Sequence, residues 1–203
     1  MAEGERDVRV CFVGDSYVAG VGDGSGLGWV GRLASHAHAA GLPLTVYNLG
    51  IRGHTAVDVA ERLPDEVTRR VKPGTDTRVV LAYGLNDVAL AGGSVRVSAA
   101  DSLAATSRSL GWLAASRLPA IFVGPPTIGE AAMDSRSEAL DLLLAERAEA
   151  HAVGYVSVFG RLANDPVWLK EVRAGDGAHP GSPGYQRYFE AVREPLIRFI
   201  GAS

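Results

Sequence analysis

Val8-Arg-Val-Cys-Phe-Val-Gly-Asp-Ser-Tyr-Val18 is the stretch from which the rest of this chain is read. Five of the six residues Val8–Val13 are apolar or Cys, mostly β-branched or aromatic, the make-up of a short strand buried on both faces. The run stops at Gly14-Asp15-Ser16, and a glycine-rich connection follows. In open α/β sheets, ligands bind outside the carboxyl ends of the strands. A hydroxyl presented at that edge reads as a candidate nucleophile, and Ser16 is that hydroxyl.

Outward from this strand, apolar runs alternate with helical periodicity. Gly20–Gly28 leads into a helix from about Trp29 to Ala40. No frame of that loop satisfies G-x-G-x-x-G, and no Gly-Lys pair exists for a P-loop, so it reads as a flexible pocket wall and no nucleotide cofactor is expected. Leu44–Leu49 is a second strand, closing on Asn48-Leu-Gly-Ile-Arg-Gly53-His54-Thr55. Thr55 and Asp58 have capping-box spacing, which starts a helix that Pro64 should kink or restart. Thr77–Ala82 is a third strand, ending at Tyr83-Gly84-Leu85-Asn86-Asp87. A helix follows over Ser98–Ser116, then a strand over Leu118–Gly124, then a helix capped by Ser135 or Ser137 that runs to about His151. Gly154–Phe159 is the fifth strand. Beyond it a loop carries Asp165, Pro166 and Trp168, followed by Gly175-Asp176-Gly177-Ala178-His179-Pro180. Ser182 and Pro183 sit at N-cap and N1 of a last helix. Strand and helix alternate throughout, so the architecture expected is a doubly wound parallel sheet covered by helices on both faces.

Composition narrows the function classes. At 203 residues and 47% hydrophobic the chain supports one core, read as one domain over residues 1–203. A net charge of −3 with scattered basic residues offers no field for nucleic acid. No apolar run reaches membrane-spanning length, and the charged Met1–Asp7 lacks the apolar segment of a secretory signal, so a cytoplasmic location is expected. Cys11 is the single cysteine, which excludes an intramolecular disulfide; mid-strand, it reads as a small buried hydrophobe, and no metal site is expected.

Acyl transfer by a serine needs a base titrating near neutrality, an acceptor that orients it, and donors for the oxyanion. Five histidines compete for the base: His36, His38, His54, His151 and His179. His36 and His38 fall on the first helix, far from any strand end, and His151 ends a helix. His54 lies beside Gly53 at the correct edge, but its one neighbouring carboxylate, Asp58, is explained as a cap. His179 has Asp176 three residues earlier, and Pro180 fixes the chain behind it, so one loop delivers base and acid as a pair. Gly53, just ahead of a helix N-terminus, offers a backbone N–H, and Asn86 offers a neutral amide donor at the same edge as Ser16.

Taken in order, Gly14-Asp15-Ser16, Gly53 in Asn-Leu-Gly-Ile-Arg-Gly, Gly84-Leu85-Asn86-Asp87, and Asp176-Gly-Ala-His179-Pro180 followed by Gly184-Tyr185 resemble the SGNH hydrolase superfamily, the GDSL-type esterases and lipases, over essentially the whole chain. The resemblance implies a flavodoxin-like three-layer α/β/α sandwich of about five parallel strands in order 2-1-3-4-5. It implies Ser16 as nucleophile, His179 as base and Asp176 as its orienter. It also implies an oxyanion hole from the N–H groups of Ser16 and Gly53 and the Asn86 side chain. Two positions depart from the family pattern, Tyr17 where the family name has Leu and Leu85 where Thr is frequent. Both lie beside catalytic positions and leave every reacting group in place. The expected substrate is a small ester (short-chain, aryl or acetyl, with thioesters included), with Tyr17, Trp29, Leu85 and Trp168 as candidate pocket residues. An acyltransferase or a carbohydrate O-acetylesterase would use the same site, and a non-catalytic flavodoxin-like binding protein is the reading from another class.

Overall fold

The computed structural model describes residues 6–202; residues 1–5, which hold most of the charged N-terminal stretch, lie outside the described residues. In chain order the elements are β1 (Val8–Gly14), α1 (Ser16–Ala19), α2 (Gly28–Ala39), β2 (Leu44–Gly50), α3 (Ala56–Thr68), β3 (Asp76–Ala82), α4 (Leu85–Val88), β4 (Leu90–Ala91), β5 (Ser94–Val95), α5 (Ala99–Ala115), β6 (Ala120–Val123), α6 (Ala131–Ala150), β7 (Gly154–Val156), α7 (Phe159–Ala163), α8 (Pro166–Ala174) and α9 (Ser182–Gly201). Five strands form one parallel sheet in the order β2-β1-β3-β6-β7, and β4 with β5 makes a small antiparallel ribbon. Counting only the five strands of the main sheet, this is the 2-1-3-4-5 order expected of the resemblance.

β1 and β3 are buried along almost their whole length because helices cover both faces. On one side α2 packs on α9 and α9 on α8; on the other α3 packs on α5 and α5 on α6. A single apolar cluster runs through all three layers, from Val10, Phe12 and Leu81 in the sheet to Leu33 and Leu196 on one face and Leu63 and Leu110 on the other. Cys11 is fully buried within it.

Register is what positions the site. Gly14 pairs with Gly50 on one side and Ala82 on the other, Ala82 pairs with Val123, and Val123 with Val156. All five strands therefore end at one level, and the residues after each strand end share one rim. Between β1 and β3 the chain direction of the winding reverses, which opens the crevice where such sheets bind ligands.

Several sequence expectations are corrected. α3 runs unbroken through Pro64, which leaves one helix carbonyl without its N–H donor. α6 starts at Ala131, capped by the Glu130 carboxylate, which accepts from Ala132 and Met133 N–H. Ser137, one of the expected caps, is buried and donates to the Pro126 carbonyl instead. Asp165-Pro166, read as loop, is the N-cap and first residue of α8, with Trp168 and Val172 turned inward. Gly181, not Ser182, caps α9, since the Ser182 hydroxyl is given to Asp23. Among the described residues, no helix is long and apolar enough to cross a membrane, and no group of three or more His, Cys, Asp or Glu could hold a metal ion.

Candidate active site

Ser16 is the first residue of α1, the single-turn helix that follows β1. Asp15 caps that turn through its Oδ1, which accepts from Tyr17 N–H at 2.9 Å, and Gly20 ends it in the left-handed region. Ser16 is 4% exposed, and its Oγ lies 2.7 Å from His179 Nε2. His179 Nδ1 lies 2.8 Å from Asp176 Oδ2, while Asp176 Oδ1 accepts from the N–H groups of Ala178 (3.0 Å) and His179 (2.8 Å). The structure thus brings the early hydroxyl and the late imidazole into contact, in the order hydroxyl, imidazole, carboxylate. That order lets a carboxylate fix the imidazole tautomer with Nε2 free to take the serine proton. Partial burial works against ionisation of Asp176, but the His179 and Ala178 hydrogen bonds prevail and hold its carboxyl at about 2. It is an anion at every pH at which the protein would be assayed.

Local chemistry explains how that loop is held. The Tyr17 hydroxyl donates to the Ala178 carbonyl at 2.5 Å, and its ring lies 5.2 Å from the His179 ring. Tyr185 donates to Val21 O at 2.8 Å, which ties α9 to the glycine-rich loop. Gly22, with φ of 91°, passes so close that a Cβ would lie 2.7 Å from Pro180 O and 3.1 Å from His179 Cβ. The loop itself is not slack. Asp23 accepts from Ser25, Gly28, Arg32 and Ser182, and these partners keep its carboxyl well below the usual range despite its burial. The sequence does not single out Asp23, because a carboxylate among glycines looks like an ordinary turn residue, and its partner Ser182 lies 159 residues away.

The oxyanion candidates share the same rim. Among the described residues, neither Ser16 N–H nor Gly53 N–H donates to a protein acceptor. Gly53 has φ of 80°, a conformation that favours glycine. Its segment is pinned from several sides: His54 N–H donates to Ile51 O, Arg96 donates to Gly53 O at 2.8 Å, and Asn86 Nδ2 donates to His54 O at 3.0 Å. Arg62 reaches up from α3 to donate to Gly14 O (2.7 Å) and Leu49 O (2.8 Å), joining the ends of β1 and β2. Its Nε donates to His54 Nδ1 at 3.2 Å. His54, the rival base, is thus held as an acceptor by a cation, and burial with the Arg62 charge lowers its pKa. His36 and His38 are exposed, on the outside of α2. A His54→Ala enzyme should keep activity within about tenfold of wild type, whereas loss of a general base costs about 10²–10⁴; steady-state hydrolysis of an aryl ester checks it.

The pocket candidates are placed differently from the expectation. Trp29 and Trp168 have no exposed surface, and Tyr17 and Leu85 have very little. Trp168 stacks on Tyr17 and donates from Nε1 to Thr127 O, and Trp29 stacks on Tyr188. The three aromatic side chains, all on helices, join Tyr188 in a buried layer that meets His179 through Tyr17, because large rings gain most from the area they bury. The open space beside His179 is a cavity of about 370 Å³ bounded by Val21, Gly22, Arg52, Glu171, Asp176 and His179, in which charged side chains share the wall with apolar surface. Arg52 lies 3.5 Å from Asp176 Oδ2. Neither Arg52 nor Glu171 was singled out in the sequence, since single charged residues in loops and on helix surfaces carry no pattern.

The same fold recurs in solved structures at low identity. The lipase/acylhydrolase from Enterococcus faecalis matches with a TM-score of 0.77 at 21% identity, covering 95% of this chain and 96% of that one. LAE5, an alpha/beta hydrolase enzyme from the metagenome of Lake Arreo, Spain, matches at 0.73 and 23%, covering 95% and 94%. Axe2, an acetylxylan esterase from Geobacillus stearothermophilus, matches at 0.72 and 21%, covering 96% and 94%. At these identities the likeness is one of fold. No curated protein matches in sequence. The profile of the GDSL-like Lipase/Acylhydrolase family matches residues 12–187, from mid-β1 into α9, and the chain belongs to that family of ester hydrolases.

Proposed function

We propose that this chain is a serine esterase, a single catalytic domain over residues 1–203, that hydrolyses small carboxylic esters through an acyl-enzyme on Ser16. The observation that carries this reading is the continuous hydrogen-bond series from Ser16 Oγ through His179 to Asp176. Ser16 Oγ attacks the ester carbonyl carbon while His179 Nε2 takes the hydroxyl proton. The oxyanion of the tetrahedral intermediate is met by the N–H groups of Ser16 and Gly53 and by Asn86 Nδ2. Collapse breaks the bond to the alcohol oxygen, which receives the proton from His179. Water, deprotonated by the same imidazole, then cleaves the acyl-enzyme and restores Ser16. Asp176 remains ionised throughout.

A panel of p-nitrophenyl esters of graded acyl length, with an acyl-CoA thioester and acetylated sugars, tests the activity, and a fluorophosphonate probe tests the nucleophile. Turnover should be fastest for the shortest acyl groups and the probe should label Ser16. No label on Ser16, with no hydrolysis of any ester, would leave only a binding protein. Competing alcohols in the assay separate hydrolysis from acyl transfer, the acyltransferase giving new esters in place of free acid.

The charged side chains of Arg52 and Glu171 in the wall of the cavity beside His179 favour one narrower reading, a sugar acetate, with the hydroxyl-bearing leaving group lodged against them. Glu171 is part-exposed in the wall of that cavity, where a substrate hydroxyl would reach it. The likeness to Axe2, described as an acetylxylan esterase, agrees with it. Glu171→Ala should lower the ratio of kcat/KM for an acetylated sugar to that for p-nitrophenyl acetate by about tenfold, the worth of a charge-assisted hydrogen bond. A ratio that does not move would exclude this seat for the leaving group.

A further inference from the structure

Asn86 spends both protons of its side-chain amide on acceptors. Nδ2 donates to His54 O at 3.0 Å and to Asp15 Oδ2 at 3.4 Å. An amide can be turned end for end with no change of shape, so its orientation is set by what faces it. Here both neighbours are acceptors, a carbonyl and a carboxylate, and the turned amide would set its own oxygen against them. Asp15 is next to Ser16 in the chain and is 2% exposed. Its other oxygen is already committed to Tyr17 N–H, which holds the carboxyl plane in place. The contact at 3.4 Å is long, so it orients the amide while leaving that proton available to a stronger acceptor.

We propose that Asp15 is a positioning residue for the oxyanion hole: it keeps Asn86 presenting N–H, and not carbonyl oxygen, at the edge that carries Ser16. This rests on the role proposed above for Asn86. Keeping a carboxylate there is costly to the fold, since burial pushes Asp15 up to about 7, with Asp87 adding to the rise and the Tyr17 N–H opposing it. A cap alone would not call for this, because an asparagine or serine caps a helix as well as an aspartate.

Asp15→Asn separates the two roles. The variant keeps the cap to Tyr17 N–H but turns an NH₂ group toward Asn86, so the orientation of that amide is no longer set. Expected is a fall in kcat of about 10–10², with KM within about twofold, against about 10²–10³ for Asn86→Ala, the usual cost of one oxyanion donor. The double variant should be no slower than Asn86→Ala by more than about threefold, because a misdirected donor cannot be lost twice. Thermal unfolding at pH 8 should show Asp15→Asn at least as stable as wild type. The folded state binds a proton that the unfolded state has released between about pH 4 and pH 7, so the native aspartate loses stability across that window as pH rises. Asp15→Ser, which caps but is too short to reach Asn86, carries the same kinetic test should the asparagine variant fold poorly. Wild-type kcat in Asp15→Asn, or losses that multiply in the double variant, would overturn the proposal. Wild-type kcat in Asn86→Ala would instead remove the oxyanion role of Asn86, and this proposal with it.

Discussion

Ser16→Ala should abolish ester hydrolysis, with kcat lower by about 10⁴ or more, and His179→Ala should be as inactive. On the mechanism proposed above, the two side chains act as one device. A hydroxyl with no base stays protonated, and a base with no hydroxyl has nothing to activate, so the Ser16→Ala/His179→Ala double variant should be no slower than either single one. This non-additivity is the signature to measure, using a p-nitrophenyl ester in the steady state with active-site titration to correct for inactive protein. Some rate above the uncatalysed reaction should survive in all three variants, because the N–H groups of Ser16 and Gly53 are backbone and outlast the substitutions. Both single variants should keep the fold. Ser16 Oγ has the single partner His179 Nε2, and Asp176 keeps its bonds to Ala178 and His179 N–H without the imidazole. Losses that multiply, or more than about 1% of wild-type kcat in Ser16→Ala, would show that the reacting groups are elsewhere.

Gly14→Ala should be severely damaging to stability. Gly14 lies mid-sheet, two residues before Ser16, with β2 bonded on one side and β3 on the other. A Cβ built there enters the Ala82 carbonyl oxygen and comes within 2.7 Å of Val18 Cγ2. The first of these is backbone of a paired strand, which cannot step aside without breaking the ladder. The expected loss is about 4 kcal/mol or more, in the exceptional range for one methyl group, and a fall in Tm of about 8–16 °C at this chain length. Gly111 provides the contrast. It is inside α5 and a Cβ there meets nothing within 4 Å, so Gly111→Ala should raise stability by about 0.5–1 kcal/mol. Thermal and denaturant unfolding of the pair check both signs; a Gly14→Ala protein as stable as wild type would mean that the β1–β3 edge is able to open.

The alternation of strand and helix was legible because it is local. β-branched runs such as Val79–Leu81 and caps such as Thr55 with Asp58 carry their own signal within a few residues. The errors were local too. Glu130 is an unusual cap beside serines of better capping type, while Asp165-Pro166 is itself a helix-start signal, an N-cap followed by proline at N1. The burial of Tyr17, Trp29, Leu85 and Trp168 is not legible in the sequence, for a different reason. A single aromatic or aliphatic side chain looks the same in sequence whether it faces a cleft or the core, and only the elements packed over it decide.

By itself the sequence determined the order of elements, the glycines at the strand ends, and the pairing of Asp176 with His179 in one short loop. Only the tertiary structure decided that His179 Nε2 comes within 2.7 Å of Ser16, 163 residues earlier, and that Arg62 rather than a carboxylate faces His54. The physical reason is range. Helix caps and strand patterns are set by neighbours along the chain, whereas the site is assembled by parallel register, which brings the ends of five strands to one rim and with them side chains that share no sequence context.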